Sequence, residues 1–274
     1  MPRVGTLEWA NETQGRLRRE DRLALLVEQA APALIGSLVE SVRAPLKLSR
    51  PIALPRPELV IPYVESLIPD TSMAQAASDV CRSASDRWLV DHCYRTFAFG
   101  VLLGHDLSFN AEILFVGAML HDIGLTTTFQ QEAEGGSKDG YPRRAAPCFA
   151  VRGAGVAEGL STTHGWPSAC AVTAAEAICS HLNVRVKQAE GVEAHLLNYA
   201  SALDVLRLRR SRLPRHAVRS VDDRWRRGDD FCEKLLTAWA REAAHRDRRA
   251  RFLSLGGIFS CMVRRSCTSK PNKF

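Results

Sequence analysis

The chain has 274 residues, 46% of them apolar and 24% charged, enough to bury one substantial core or to divide into two. No apolar run approaches the roughly 20 residues that span a bilayer, which excludes a helical membrane protein. The net charge of +7 gathers late, in Arg207, Arg209, Arg210, Arg212 and Arg215 and again between Arg246 and Arg265. Such clusters would suit phosphate contacts, but no aromatic interleaving, zinc-finger spacing or glycine-rich phosphate loop accompanies them. They read as a solvated basic face, and nucleic acid is not an expected partner.

Residues 1–18 are polar and read as loose. From Asp21 to Val42, the residues Leu23, Leu25, Leu26, Ala30, Leu34 and Leu38 recur at helical spacing. Pro51 and Pro55 punctuate the stretch Pro45–Pro57, a linker between that helix and the main body. Glu58–Leu67 is a brief helix stopped near Pro69. Asp70 and Thr71 offer caps for the next, which runs to Ser83.

A helix from Asp86 to Leu103 puts His92, Arg95, Phe99 and Leu103 near one face. Phe109 and Asn110 lead into a helix over 111–121, where Leu114, Gly117, Ala118 and His121 share a face. The small Gly117 and Ala118 would let it approach the His92 helix closely. Thr126 to Pro147 has the composition of an exposed loop or lid. Cys148–Leu160, Ala169–His181, Gly191–Leu206 and Asp229–Arg246 follow as helices, the last carrying Phe231, Leu235, Leu236 and Trp239. No convincing series of alternating strand patterns occurs, so the expected fold is all-α, a compact helical array. Its expected parts are an N-terminal extension and linker (1–54), a core (55–215) and a C-terminal helical segment packed on that core (216–274).

The opening MPRVGTLEWANETQ has no apolar segment behind a basic cap, so it does not read as a secretory signal. The eight cysteines are scattered without a CxxC pair. They read as buried apolar groups or free thiols, and the chain as cytoplasmic.

His121 and Asp122 follow the apolar run Ala111–Leu120, where a lone carboxylate would be prohibitively costly to bury. Something positive must compensate Asp122, either a metal ion or an arginine such as Arg95. His92 follows Trp88, Leu89 and Val90 and is a ligand or a satisfied core histidine. Asp204 lies among apolar neighbours and needs a partner by the same desolvation argument. Together these imidazoles and carboxylates could hold one divalent ion, and zinc and iron both accept such a mixed set.

The segments HCYRTF (92–97), AEILFVGAMLHDIGL (111–125), AICSH (177–181) and ALDVL (202–206) resemble the metal-binding HD-domain superfamily, and within it the cyanamide hydratase-like branch. LVIPYVESLIPDTSMAQAASDV (59–80) and CFAVRGAGVAEGL (148–160) share the likeness, which extends over roughly residues 55–215. The resemblance implies an all-helical fold around one metal ion, with His92, His121, Asp122 and Asp204 as ligands. It implies Zn2+ as the ion, with Fe2+ as the alternative. The implied reaction is hydration of cyanamide to urea. His181 matches a recurring histidine of that branch. Ala150 and Gly155 stand where the family often carries acidic residues, and Arg207 where a glycine is common.

In such a centre the ion would bring water toward neutral pKa, and attack on a nitrile carbon would leave the nitrogen needing a proton. His181 is the best donor, since an imidazole titrates near neutral pH. His164, in STTHGWP, is a second candidate, though it also reads as an exposed loop histidine. Arg95 could supply positive charge beside the site. If His164 and His181 joined the other ligands, a binuclear centre would serve phosphate ester hydrolysis, the alternative function. A non-catalytic scaffold is the remaining class. The expected partner is a small-molecule substrate, with a homo-oligomer compatible with the resemblance.

Overall fold

The N-terminal residues expected to be loose are ordered. In the computed structural model, which describes residues 1–25, 54, 56–130, 148–244, 248–254 and 257–268, helix α1 (Leu7–Thr13) begins at Thr6. The Thr6 hydroxyl accepts from the Trp9 amide at 3.2 Å. Trp9 is buried, its indole N–H donates to Asp21 at 3.1 Å, and the Arg249 guanidinium lies 5.8 Å from its ring. A tryptophan held this way anchors a segment whose polarity alone suggested a tail. Helix α2 (Arg19–Leu25) covers the start of the expected Asp21–Val42 helix. The remainder of that helix and most of the expected proline linker lie outside the described residues.

From Val60 onward the elements follow the apolar periodicity. Helix α3 (Val60–Glu65) follows a 3-10 turn over Pro57–Leu59. Helix α4 (Ser72–Ala84) is capped by Thr71, as expected, its hydroxyl accepting from the Ala74 amide. Next come α5 (Arg87–Leu103) and α6 (Ala111–Leu120), the latter capped by the Asn110 side chain. Helix α7 (Phe149–His164) runs a turn beyond its expected end and stops at Gly165, whose φ of 63° suits a left-handed cap. Helices α8 (Ser168–Ser180) and α9 (Val192–Leu206) complete this part. The expected lid lies outside the described residues from 131 to 147.

Helix α5 packs against α6 and α9, while α8 packs against α6, α7 and α9. Phe97, Phe99, Phe115 and Phe149 are fully buried among them. The close approach that positions the centre is made at Gly124 and Gly153. A Cβ at Gly124 would collide with the Phe149 backbone, and one at Gly153 with the Leu120 carbonyl. Helix α7 therefore lies flush against the turn that follows α6. Gly117 is not the tight point expected of it: a Cβ there would make an ordinary contact with Leu197 at 3.4 Å.

Beyond α9 the chain holds more structure than its pattern suggested. Arg207 adopts φ 56° at the end of α9, the left-handed conformation for which glycine is usual. Its guanidinium bonds to Asp222 at 2.8 Å. Helix α10 (Arg215–Arg224) buries Ala217, Val218 and Val221, although its arginines mask the stripe. Helix α11 (Phe231–Ala243) matches the expected Asp229–Arg246 helix and is shorter. Two further helices follow, α12 (Arg249–Leu253) and α13 (Ile258–Thr268). Cys232 and Cys267 form a disulfide between α11 and α13, with Cα atoms 6.6 Å apart, which corrects the expectation that no cysteine is paired. Among the described residues there is no strand, and no helix is long and apolar enough to cross a membrane.

Candidate metal centre

His92 projects from α5, while His121 and Asp122 follow the last turn of α6. His181 follows α8, and Asp204 lies in the last turn of α9. The C-terminal ends of three helices thus converge on one histidine in the body of a fourth. His92, His121 and Asp204 are fully buried; Asp122 and His181 keep 6% and 5% exposure.

His121 Nδ1 lies 2.8 Å from the Ala118 carbonyl oxygen, and His181 Nδ1 lies 2.6 Å from that of Ile178. A carbonyl only accepts, so both Nδ1 atoms carry the proton. His92 Nδ1 stands 2.7 Å from Asp204 Oδ2. Burial pushes Asp204 up, but Arg95 beside it, with His92, holds its carboxyl well below the usual range. Asp204 is therefore an acceptor, and His92 Nδ1 is its donor. In the neutral rings, all the Nε2 atoms are left with lone pairs.

Those lone pairs point at one another. His92 Nε2 is 3.1 Å from His121 Nε2. Asp122 Oδ2 lies 3.3 Å from the first and 3.5 Å from the second. His181 Nε2 is 3.4 Å from Asp122 Oδ1, yet it has no hydrogen-bond partner and is buried. Burial is the largest influence on His121 and lowers it to about 3, so that ring stays neutral. Burial also opposes charge on His92, but Asp122 and Asp204 outweigh it and the net shift is upward. Asp122 is held well below its ordinary value because the surrounding imidazoles outweigh burial. A single proton on His92 would relieve one of these contacts. A multivalent cation relieves all of them together, and the donor set of His92, His121 and Asp122 suits a divalent ion.

The structure distributes the expected site residues unevenly. Asp204 belongs to the cluster but stands on the far nitrogen of His92, not among the converging atoms. Arg95 does not join the converging atoms: its Nε and Nη2 bond to Asp204 at 2.8 and 2.9 Å, and its Nη1 bonds to the Trp225 and Arg226 carbonyls. His164 is exposed at the opposite end of α7 from Phe149. At ~1.5 Å per residue the helix carries it about 22 Å away. Phe149 packs its ring 5.7 Å from that of His181, so His164 is not brought to the centre. The binuclear arrangement that needed it has no support in this geometry.

Sequence reasoning missed several supports. Phe231 sets its ring 5.8 Å from that of His92 and beneath the Arg95 guanidinium at 5.0 Å. Glu242 is fully buried and accepts from Arg152 at 2.6 Å and Arg248 at 2.7 Å, while its other oxygen accepts from the Phe149 amide. Arg152 also donates to the Gly124 carbonyl at 2.8 Å. That network fastens the turn after Asp122 to α7 and α11. A glutamate inside the apolar stripe of Phe231, Leu235 and Trp239 was the available signal, since a buried carboxylate implies a partner.

Among known proteins, residues 89–209 match the HD domain family. No curated protein matches the chain. The matched segment contains His92, His121, Asp122, His181 and Asp204. It carries an HD-domain fold whose His/His/Asp cluster is that of a metal-dependent catalytic site, consistent with the broader HD-domain metalloenzyme superfamily and with hydrolase or lyase chemistry in general.

Proposed function

We propose that this chain is a metal-dependent hydratase of a small nitrile-like compound, with cyanamide to urea as the leading reaction and Zn2+ as the ion. The observation that carries the reading is the enclosure of the centre: only Asp122 and His181 retain exposure, at 6% and 5%. A cluster so enclosed suits a small substrate. The nearby buried arginines support an uncharged one, because Arg95 is engaged by Asp204 and Arg152 by Glu242 and the Gly124 carbonyl.

His92, His121 and Asp122 would hold the ion, which when bound would supply the positive charge that acidifies water and polarises a nitrile. Asp204 would fix His92 in the tautomer that presents its Nε2, with Arg95 compensating the carboxylate. The His181 Nε2 lone pair would take a proton from the attacking water as its oxygen bonds to the nitrile carbon. It would return that proton to the nitrogen, and the resulting isourea would tautomerise to urea. The ring is oriented for this by the Ile178 carbonyl on Nδ1. The aromatic rings of Phe149 and Phe231 would limit water around these groups.

We further propose residues 55–215 as the core unit, with the terminal segments as its supports. Arg249 donates to the Cys179 carbonyl and to Asn183 on either side of His181, consistent with that division. The deciding assay gives zinc-loaded protein cyanamide, a panel of small nitriles, and phosphate monoesters and diesters. Urea formation abolished by His121→Ala supports the reading. Phosphate release without urea would replace it with a phosphohydrolase, and silence on every compound would reject the hydratase assignment.

A further inference from the structure

The disulfide between Cys232 and Cys267 lies outside the matched segment and joins α11 to α13 across a sequence separation of 35. Its two cysteines differ in burial. Cys232 is buried, while Cys267 is exposed. Arg227 reaches both, with Nη2 3.7 Å from Cys232 Sγ and 3.5 Å from Cys267 Sγ.

The same bridge is bound to the walls of the metal centre. Phe231, next to Cys232, packs against the His92 ring and under Arg95. Val263 of α13 is fully buried in a small cluster with Phe231, Cys232 and Leu235. Ser266, next to Cys267, donates to the Val205 carbonyl at 2.8 Å, one residue beyond Asp204. Helix α13 therefore leans on both the His92 side and the Asp204 side, and the disulfide fastens it there.

We propose that Cys232–Cys267 is a reversible thiol–disulfide modification site that takes small thiols and their disulfides, and that its state governs how firmly the centre retains its ion. A small thiolate attacks the sulfur of Cys267, the exposed member of the pair, and forms a mixed disulfide. The Cys232–Cys267 bond breaks, and its electron pair leaves with Cys232 as a thiolate facing Arg227. A second small thiolate then attacks the mixed disulfide and releases the Cys267 thiolate. In sum, two small thiols are oxidised to their disulfide, the protein bridge is reduced to two thiols, and the small disulfide reverses the change. Without the bridge α13 is held only by its non-covalent contacts, so Phe231 and the Asp204 turn lose part of their support.

The test uses the full chain loaded with zinc, oxidised with oxidised glutathione or reduced with glutathione, and then freed of small thiols. Peptide mapping after alkylation should recover Cys232 and Cys267 cross-linked in the oxidised sample and separately alkylated in the reduced one. Zinc release to a chelator should be several-fold faster after reduction, and amide exchange over 258–268 should rise. Cys267→Ser should release zinc at the fast rate in both samples. Cys261→Ser, on the same helix, should respond as the parent does. Failure of oxidised glutathione to form the bridge would overturn the proposal, as would equal release rates in the two states. In a protein that took up no zinc, a rise in amide exchange would still support the clamp. Unchanged exchange would reject it, so its failure is separable from failure of the metal reading.

Discussion

His92 presents Nδ1 to Asp204 Oδ2 at 2.7 Å, and Arg95 grips the same carboxylate through bonds of 2.8 and 2.9 Å. The carboxylate thereby sets which nitrogen of His92 faces the cluster, and the arginine keeps that carboxylate ionised.

Asp204→Asn retains the shape but removes the charge that holds the Nδ1 proton. Zinc affinity should fall by about 10–100-fold, the usual cost of losing a partner behind a histidine ligand. Competition with a chromogenic chelator measures it. Asp122→Asn should cost much more, because Asp122 stands among the converging atoms; equal losses would place the two carboxylates in equivalent positions.

Arg95→Met removes the cation and leaves Asp204 buried with only His92 as partner. Breaking a buried pair from one side costs about 3–5 kcal/mol. Urea denaturation of the metal-free protein should show a loss of that order. An effect below about 1 kcal/mol, the scale of exposed pairs, would mean that the pairing contributes little.

Glu242→Gln should also destabilise strongly, by about 3–5 kcal/mol, because it removes the buried carboxylate charge that Arg152 and Arg248 share. The glutamine oxygen can still accept from the Phe149 amide, so far-ultraviolet circular dichroism should remain helical while the melting temperature falls. An unchanged melting temperature would show that the network is not a support.

His181→Ala should keep the metal and lower the proposed turnover by about 10²–10⁴-fold, the range for a positioned acid–base group. Metal analysis and urea production on the same sample separate the roles. Loss of the ion would instead make His181 a ligand.

The central helices were legible because their signals are local. Thr71 caps where its side chain predicts, and the stripe through His92, Arg95 and Phe99 describes a face that is buried. His121 and Asp122 were visible because a carboxylate after an apolar run demands a partner. The far side of His92 was not visible: whether Asp204 joins the converging atoms or stands behind the ring depends on helix placement, not spacing. The partners of Arg95 were hidden for the same reason, since Trp225 and Arg226 lie 130 and 131 residues away. Helix α10 was lost because Arg215, Arg219 and Arg224 dilute its short apolar stripe, and α1 because its anchor, Trp9, is a single residue in a polar run. His164 belonged to a helix whose length carried it away from the centre.

Facing lone pairs on His92 and His121, beside ionised Asp122, call for a divalent cation. Elemental analysis of purified protein dialysed without chelator, with His121→Ala and Asp122→Ala prepared alongside, decides whether the cation is there. The parent chain should carry close to one zinc or iron, its melting temperature should drop when the ion is stripped and recover on its return, and either variant should hold little metal. No metal in the parent and no thermal response to zinc or iron would contradict this, as would undiminished metal in both variants.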